Sequence, residues 1–436
     1  NYSEATHWYR EFLKSFPKDK QSAAIYYQLA DLLLENNYYK LAALEYERSA
    51  YDYPVNDKSS KAAYVVVYAY REQLKIVPAS QAKNVNREII RTSLRLVDTF
   101  PKHEKATIVL GAAVEDLFKM RDYPLAIKTG HRLLAEYPDA DVAIRRGTWM
   151  VLAHSSYEIE QFREAELAYI ETLKLTARND QNQHKLLDNL AASVYKQGEL
   201  AKASEDYKTA VDHFLRIATI APTSKIRSAA EYDAAAVLIQ VMELEQASGV
   251  LLSFRKNYPG HKLQHDVTKK IAFVYKELEK FGPAAKEFER IAAETKDEEL
   301  VREAMLTAAE LYEHATDTNN ALRLYKQYVV KYPRPLEFSL ETHHKIATIY
   351  KSRGELKNYR RTLKHIITLD AKAGRERTDR TRYLAAKASI VIIEPSFDKY
   401  VSIKLVKPFK RNLTRKQKSM KALVASYTKL VDYKVA

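Results

Sequence analysis

Apolar residues recur along the chain three or four positions apart, in segments separated by short polar turns, which is the spacing of one face of an α-helix. One segment carries Tyr26, Leu29 and Leu33, and the segment after it carries Ala42 and Tyr46. Each segment is only a few helical turns long, and the link between them is brief. The pattern therefore predicts two helices joined by a tight turn, in a unit of about 34 residues.

This unit repeats along the sequence. The same order of apolar, small and aromatic positions returns in segments 110–138, 149–169, 187–210, 234–259, 271–291 and 308–333, and more weakly in 346–363. In the copy at 187–210, Ala203, Tyr207 and Ala210 are assigned to the second helix. Residues 59–101 are predicted to form an irregular pair with a lengthened joint between Val77 and Asn84. So many copies in one phase predict a stack of helix pairs.

Two kinds of residue give each unit its predicted packing. Alanine at positions such as Ala30 and Ala42 lets paired helices approach toward the short end of the roughly 8–10 Å interaxial range. Tyrosines are expected to fill the space between neighbouring units, namely Tyr46, Tyr169, Tyr207 and Tyr325. Proline disfavours helix in the residue before it. We therefore expect helices to end at the aromatic-proline pairs Phe16-Pro17, Tyr53-Pro54, Phe100-Pro101, Tyr137-Pro138, Tyr258-Pro259 and Tyr332-Pro333.

These positions resemble the tetratricopeptide repeat family, whose pattern places an aromatic, a leucine and a small residue on the first helix, and alanine, an aromatic and proline on or after the second. The resemblance covers residues 1–370. It implies an all-α fold, a right-handed superhelical solenoid of stacked helix-turn-helix repeats. The tyrosine-rich array with aromatic-proline endings is also similar to tetratricopeptide proteins of the Gram-negative cell envelope. That likeness implies a periplasmic or outer-membrane-associated protein, with the cytoplasm as the alternative.

Resemblance to the family also assigns selected first-helix positions to a concave groove that binds partners. In this sequence they include Tyr27, Asp31, Glu35, Phe118, His154, Tyr157, Tyr195, Tyr232 and Lys276. Tyrosines in a groove can anchor a partner because they are large, rigid and able to hydrogen-bond. The competing interpretation is that several of them pack against the next repeat. The family's chaperone-tail clamp uses lysine and asparagine at two positions that here are Lys269 and Phe273, so that class of ligand is disfavoured.

Residues 371–436 depart from the repeat and are interpreted as a basic helical extension. A helix from about Arg380 to Ile393 is predicted to end at Pro395, and the alternation over 401–406 predicts a short extended segment. Thr414 is the expected N-cap of the last helix. Residue 1 lies within a repeat, and the last apolar stripe has no closing polar helix. The sequence is therefore expected to be part of a longer protein.

Composition narrows the chemistry. With 9 Gly and no Cys in 436 residues, the chain lacks the glycine-rich loops of nucleotide enzymes and any thiolate or disulfide chemistry. His261 and His265 could share a helix face, but no third metal ligand is implied, so a solvated pair is expected. We predict no enzymatic activity, no cofactor and no metal. The sequence also contains no apolar run long enough for a membrane span.

Positive charge is concentrated at one end of the sequence. Residues 351–436 contain 23 Lys and Arg against 7 Asp and Glu, a net +16, whereas residues 1–350 sum to −1. Seven of these cations form a candidate docking patch: Lys404, Lys407, Lys410, Arg411, Arg415, Lys416 and Lys418. Such a run is often only a solvated surface. Its expected partner is an acidic protein or, as the less favoured choice, an anionic membrane surface. Nucleic acid is disfavoured because only Phe409 could stack on a base between Tyr400 and Tyr427.

These observations favour a non-enzymatic scaffold that holds a peptide or partner protein in its groove, within a bacterial cell-envelope assembly. One alternative is an RNA-binding helical repeat protein, and a second is a superhelical accessory domain of a cell-wall enzyme. RNA-binding solenoids are expected to be basic along the groove, and the net charge of −1 over residues 1–350 argues against that class.

Overall fold

A computed structural model describes residues 2–434 of the chain, and every regular element within that range is helical. The chain divides into two compact units, Asn1–Asp233 and Ala234–Ala436, with the division inside one helix. The elements up to that helix are α1 (Tyr2–Ser15), α2 (Ser22–Glu35), α3 (Tyr39–Tyr51), α4 (Ser59–Ile76), α5 (Ala79–Thr99), α6 (Ala106–Lys119), α7 (Tyr123–Glu136), α8 (Val142–Glu158), α9 (Phe162–Lys174), α10 (Gln183–Ala203), α11 (Tyr207–Ile220) and α12 (Arg227–Gln240).

The second unit begins inside α12 and includes all the helices that follow it. Its helices are α13 (Leu244–Asn257), α14 (Gln264–Glu277), α15 (Phe281–Glu294), α16 (Glu298–His314), α17 (Thr318–Lys331), α18 (Leu336–Ser352), α19 (Leu356–Ala371), α20 (Asp379–Ser402) and α21 (Phe409–Val431), with a single 3₁₀ turn at Gly374–Glu376. From α1 to α11 and from α13 to α21, each helix packs against the next one along the chain. The prediction of an all-α fold made of helix-turn-helix repeats is confirmed.

The turn inside each pair has a fixed backbone geometry. Two residues before the second helix, the chain enters the left-handed region, with φ between 53° and 72°. This residue is Asn37, Arg121, Glu160, Glu205, Met242, Glu279, Thr316 or Gly354 in eight of the nine pairs that α2–α19 form. The amide of the next residue then bonds a carbonyl five positions back, as from Tyr38 to Leu33 at 2.9 Å. This is the Schellman ending of a helix, and it reverses the chain within three residues.

An alanine lies three residues after the start of the second helix in most pairs, where it faces the first helix. These alanines have no exposed surface: Ala42, Ala126, Ala165, Ala210, Ala247, Ala284 and Ala321. A methyl group at this position allows close approach of the paired helices. Four residues later the predicted tyrosines Tyr46, Tyr169 and Tyr325 are buried to 2% exposure or less. The predicted burial of these alanines and of the three tyrosines is therefore confirmed.

The assignment at 187–210 was wrong in register. First helix α10 runs for 21 residues, so Ala203 is its exposed last residue and Tyr207 is the half-buried first residue of α11. Phe214, not Tyr207, fills the core position, with 1% exposure. A Cβ at Gly198 would lie 2.6 Å from the Phe214 ring, so glycine is required where this ring meets α10. The extra turns of α10 moved the second helix beyond the expected frame.

The joint of the irregular pair is short rather than lengthened. Helix α4 continues to Ile76 and α5 begins at Ala79, leaving only Val77 and Pro78 between them. Val77 is extended and Pro78 precedes α5 with φ −58°. Proline fits the start of a helix because its φ is already helical and its missing amide hydrogen is not needed there.

The aromatic-proline pairs end helices as predicted. Phe100, Tyr137, Tyr258 and Tyr332 each follow the last helical residue of a second helix. Two tyrosines of the aromatic-proline pairs also bond to the preceding pair. The Tyr137 hydroxyl donates to the Pro101 carbonyl at 2.8 Å, and the Tyr53 hydroxyl donates to the Pro17 carbonyl at 2.8 Å. The endings therefore connect consecutive repeats as well as stopping the helices.

Arginine-carboxylate pairs join consecutive second helices. They are Arg91 with Glu47, Arg132 with Asp98, Arg216 with Glu166, Arg255 with Glu287, and Arg323 with Glu289. The Glu166 carboxylate also accepts from the Gln197 amide at 2.7 Å, so it contacts both α10 and α11. Burial alone would raise the pKa of Glu166, but the hydrogen bonds from Arg216 and Gln197 outweigh it and hold this pKa below its usual value.

The C-terminal helices differ from the sequence prediction in three ways. Helix α20 passes through Pro395 and ends at Ser402 instead of stopping near Ile393. Residues 403–408 link α20 to α21 outside any helix, and the described part of the chain has no strand, so the predicted extended segment 401–406 is wrong: its first two residues end α20 and the rest lie in this connector. Helix α21 begins at Phe409, which leaves Thr414 inside it, where its hydroxyl donates to the Lys410 carbonyl at 2.9 Å.

The recurrent left-handed residue predicts opposite effects for two substitutions. Thr316 is β-branched at φ 58°, whereas Gly354 occupies the equivalent position at φ 72° with open space around its Cβ direction. The left-handed region costs a side-chain-bearing residue roughly 1–2 kcal/mol. Thr316→Gly should therefore raise the free energy of unfolding by about 1 kcal/mol and Gly354→Thr should lower it by a similar amount, measured by urea denaturation. Equal signs for both changes would contradict the turn geometry.

The Glu166 cluster predicts a pH-dependent effect on stability. Because the folded-state pKa of this carboxyl is depressed, its stabilisation is present above the unfolded-state pKa and is lost as pH falls through the folded-state value. Glu166→Gln should lower the free energy of unfolding by about 2 kcal/mol at neutral pH. The difference from wild type should shrink as pH falls below about 4.

The matched control is Glu171→Gln in the same helix, which removes an exposed ion pair with Lys174. It should cost at most about 0.5 kcal/mol. Urea denaturation across the acidic range measures both variants, and a Glu166→Gln difference that does not change with pH would count against the assignment.

Candidate functional site

The predicted groove residues near the start of the chain are largely structural. Tyr27 is buried at 7% exposure and stands edge-on to Tyr46, with ring centroids 5.3 Å apart. Burial raises the pKa of Tyr27. Asp31 accepts a hydrogen bond from the Tyr46 hydroxyl, which ties α2 to α3. Glu35 is the exposed member of this group. Of the three, Glu35 alone has an exposed side chain.

Phe118 and His154 come together on consecutive first helices. Their ring centroids are 6.0 Å apart, and α6 packs directly against α8. The Tyr169 hydroxyl lies 2.7 Å from His154 Nδ1. Burial, followed by the charge of Lys185, lowers the pKa of His154, so the ring is neutral at neutral pH. This cluster holds the first helices in place beside the next predicted residue, Tyr157.

Tyr157 borders an open cavity of about 350 Å³ where first helices α8 and α10 meet the start of α9. Its ring stands edge-on to Phe162 at 5.2 Å. The remaining lining residues are Glu158, Glu160, Lys196, Glu199 and Leu200. Lys196 is paired with Glu199 at 2.6 Å, so the cavity has a surplus of carboxylates. We name this set the α8–α10 cavity.

The sequence prediction found only Tyr157 in this cavity. Glu158 is the last residue of α8, and Glu160 is the left-handed residue of the turn that follows it. Phe162 begins α9. Glu199 and Leu200 belong to the last turns of α10, whose final residue, Ala203, was predicted to lie on the second helix. A polar turn followed by an aromatic residue at the start of a second helix is the signal that could have identified half of the lining.

Tyr195 and Tyr232 lie at the far end of the first unit. The Tyr195 hydroxyl donates to Asp233, and burial, followed by this hydrogen bond, raises the pKa of Tyr195. Its ring also packs on the Phe214 ring, with the two ring centroids 5.2 Å apart. Tyr232 is half-buried on α12. Tyr195 therefore has a packing role in the described structure.

Lys276 belongs to the second unit and is exposed near the end of α14. Phe273 on the same helix is also exposed, at 43%. Lys269 instead lines a smaller cavity of about 220 Å³ with His265 and Glu294. His265 Nδ1 lies 3.1 Å from the Glu294 carboxylate, and the His261 ring accepts from the Leu263 amide at 3.2 Å. Within residues 2–434 no group of three potential metal ligands occurs.

The basic patch divides between the connector and the last helix. Lys404 and Lys407 lie in the connector, and the other five cations are on α21. Arg415 and Lys418 line a cleft of about 330 Å³ with Lys399 of α20 and three serines. Lys416 donates to the Ile403 carbonyl at 3.1 Å, and its ammonium lies 5.1 Å from the centre of the Tyr400 ring. No helix between residues 2 and 434 has the length and apolar character of a membrane span.

Comparison with known proteins supports the repeat class directly in one segment. A family described as tetratricopeptide repeat matches residues 303–334, which span most of α16 and all of α17. No curated protein sequence matches the chain.

Several solved structures match the chain at low identity, including the following three. A Naa15/Naa10 complex bound to HypK-THB has 15% identity and a TM-score of 0.36, with 91% of this chain and 64% of that chain covered. The human IFIT1 dimer with m7Gppp-AAAA has 13% identity and a TM-score of 0.27, with 100% of this chain and 95% of that chain covered. The P58(IPK) TPR domain has 14% identity and a TM-score of 0.24, covering 82% and 98%. The chain thus spans under two thirds of the Naa15/Naa10 match. Scores of this size do not transfer a function to it.

Proposed function

We propose that this chain is a non-enzymatic scaffold whose first-helix face binds a peptide segment of a partner protein. The observation that carries the proposal is the α8–α10 cavity, where two consecutive first helices and the turn after the first of them place aromatic and acidic side chains around about 350 Å³. Repeat proteins use such faces as extended binding surfaces, because neighbouring repeats place side chains at regular intervals. The tetratricopeptide match at 303–334 supports the same class of function.

The chemistry of the cavity selects a basic side chain. Glu158, Glu160 and Glu199 contribute three carboxylates, and Lys196 offsets only one of them. The Tyr157 ring, the largely buried Phe162 ring and the exposed Leu200 side chain form the apolar part of the wall. A lysine or arginine side chain of the peptide would place its aliphatic stem on these rings and its charge near the carboxylates. We therefore propose a partner segment with a basic residue flanked by apolar ones.

The cavity is held in shape before any partner arrives. The Tyr157 carbonyl accepts from the Glu160 amide at 3.1 Å, and the Ser156 carbonyl accepts from the Gln161 amide at 2.8 Å. Glu166 links α9 to both α10 and α11 just behind the cavity. A rigid site loses little conformational entropy on binding, which favours affinity for a short peptide.

Charge also argues for a protein partner over RNA. Three carboxylates around the cavity would repel a phosphate backbone, and residues 1–350 have a net charge of −1. A role in a bacterial cell-envelope assembly is part of the proposal. It is supported by the tyrosine-rich repeats with aromatic-proline endings, which resemble those of envelope proteins.

The test uses a random peptide library displayed on phage and selected on the immobilised full chain. We expect enriched peptides to carry lysine or arginine next to an apolar residue. Tyr157→Ala and Glu158→Lys should each weaken a synthetic enriched peptide by about tenfold or more in a calorimetric titration. Matched controls are Leu167→Ala on exposed α9 surface and Glu104→Lys, which should bind as wild type does.

Two results would overturn the proposal. One is enrichment without a basic preference combined with unchanged affinity in both cavity variants. The other is that an RNA homopolymer displaces the enriched peptide and binds the Glu158→Lys variant more tightly than wild type. That result would favour the RNA-binding alternative.

A further inference from the structure

The connector and last helix form a surface of a single charge sign. Residues 399–421 contain nine Lys and Arg and no Asp or Glu. Along the described chain, the last ion pair joins Arg382 to Asp379, so none of these nine cations forms an ion pair with a carboxylate within residues 2–434. The surface would attract any anionic partner within roughly one Debye length, ~8 Å at physiological salt.

Large apolar side chains are exposed within the same segment. Val401, Leu405, Val406 and Phe409 are 44–60% exposed, all within nine residues. Lysines 404, 407 and 410 alternate with them along the chain. The connector and the helix ends beside it thus expose apolar side chains between cations, whereas the aromatic-proline endings at Tyr53 and Tyr137 each donate a hydrogen bond to the preceding ending.

Helix α21 continues this surface. Phe409, Met420, Val424, Tyr427 and Val431 are exposed and lie eleven, four, three and four residues apart, close to whole helical turns. A separate face of α21 packs inward, with Leu430 and the following Tyr433 joining the core of α18–α20. The helix is therefore anchored on one side and has an unpartnered apolar stripe on another, with Lys410 and Lys421 on the same helix.

We infer that this connector and α21 dock on an anionic lipid bilayer surface. The apolar stripe, which includes Phe409, and the connector residues Leu405 and Val406 enter the headgroup region, and the lysines lie at the level of the lipid phosphates. This arrangement is that of an interfacial helix lying in the plane of the membrane. Lysine suits it because its aliphatic stem covers apolar surface while its ammonium stays in the polar layer. The inference does not depend on the peptide bound in the α8–α10 cavity.

The residue types favour lipid over a protein or nucleic acid partner. Seven of the nine cations are lysine, and the cores of protein interfaces are depleted in lysine and enriched in arginine and aromatic residues. Single-stranded nucleic acid would need aromatic rings for stacking, and between Tyr400 and Tyr427 only Phe409 supplies one. Exposed valine and leucine between lysines match neither of those partners.

The experiment is sedimentation of the full chain with vesicles of phosphatidylcholine alone or mixed with phosphatidylglycerol. Wild type should bind the mixed vesicles, and added salt should weaken the binding. Reversing Lys404, Lys407, Lys410 and Lys421 to Glu should lower the partition coefficient roughly 100-fold or more, since each basic residue near the surface contributes about 1 kcal/mol. Replacing Leu405, Val406 and Phe409 by Ser keeps every charge and should lower it by at least about tenfold.

Two control variants carry the same changes elsewhere. Reversing exposed Lys18, Lys20, Lys61 and Lys102 to Glu matches the charge change, and replacing exposed Val55, Ile108 and Leu167 by Ser matches the apolar change. Both should bind the mixed vesicles as wild type does.

Three outcomes would overturn the inference. In the first, wild type sediments equally with both kinds of vesicle. In the second, the serine variant binds the mixed vesicles as tightly as wild type does. In the third, wild type binds soluble polyglutamate as tightly as it binds the mixed vesicles, and the serine variant binds polyglutamate as tightly as wild type does. That result would assign the surface to an acidic protein. Circular dichroism and thermal unfolding of each variant confirm that a loss of binding is not a loss of fold.

Discussion

The contact on which the rest of each unit depends is the close crossing of the two helices in a repeat, with an alanine methyl group between them. Ala42 and Ala321 have no exposed surface because the paired helix covers them completely. Tyr46 and Tyr325, one helical turn further on, fill the wider space and bond a carboxylate of their own first helix, Asp31 or Glu313. Each helix pair leaves an apolar face that the following repeat covers, so each repeat is stabilised by its contacts with its neighbours.

The sequence predicted the parts of the fold that depend on one residue type at one position. Buried alanines and aromatic-proline endings are of this kind. It did not predict the left-handed turn residue, because Asn37, Arg121 and Met242 share no side-chain chemistry, and the conformation is imposed by the hydrogen bonds that end the first helix. The arginine-carboxylate pairs between second helices were also missed, because ordinary surface charges acquire partners only once the repeats stack.

The α8–α10 cavity shows the same division. Tyr157 was predicted because first-helix aromatics are visible in the repeat frame, whereas Glu199 and Leu200 belong to extra turns of α10 that the frame did not contain. Of the other predicted groove tyrosines, Tyr27 is buried in the core and Tyr195 is tied to Asp233. A tyrosine at a repeat position is thus accessible to a partner only where the turn leaves space beside it.

Ala321→Phe, followed by hydrogen exchange and mass spectrometry, tests the neighbour-to-neighbour account most directly. Overpacking this crossing should lower stability by roughly 1–3 kcal/mol and should speed amide exchange in α16, α17 and α18, which pack around it, while helices α2–α9 exchange as in wild type. The matched control Ala293→Phe places the same ring on an exposed site of α15 and should change little. Equal acceleration in every helix, or none in α16–α18, would contradict the account.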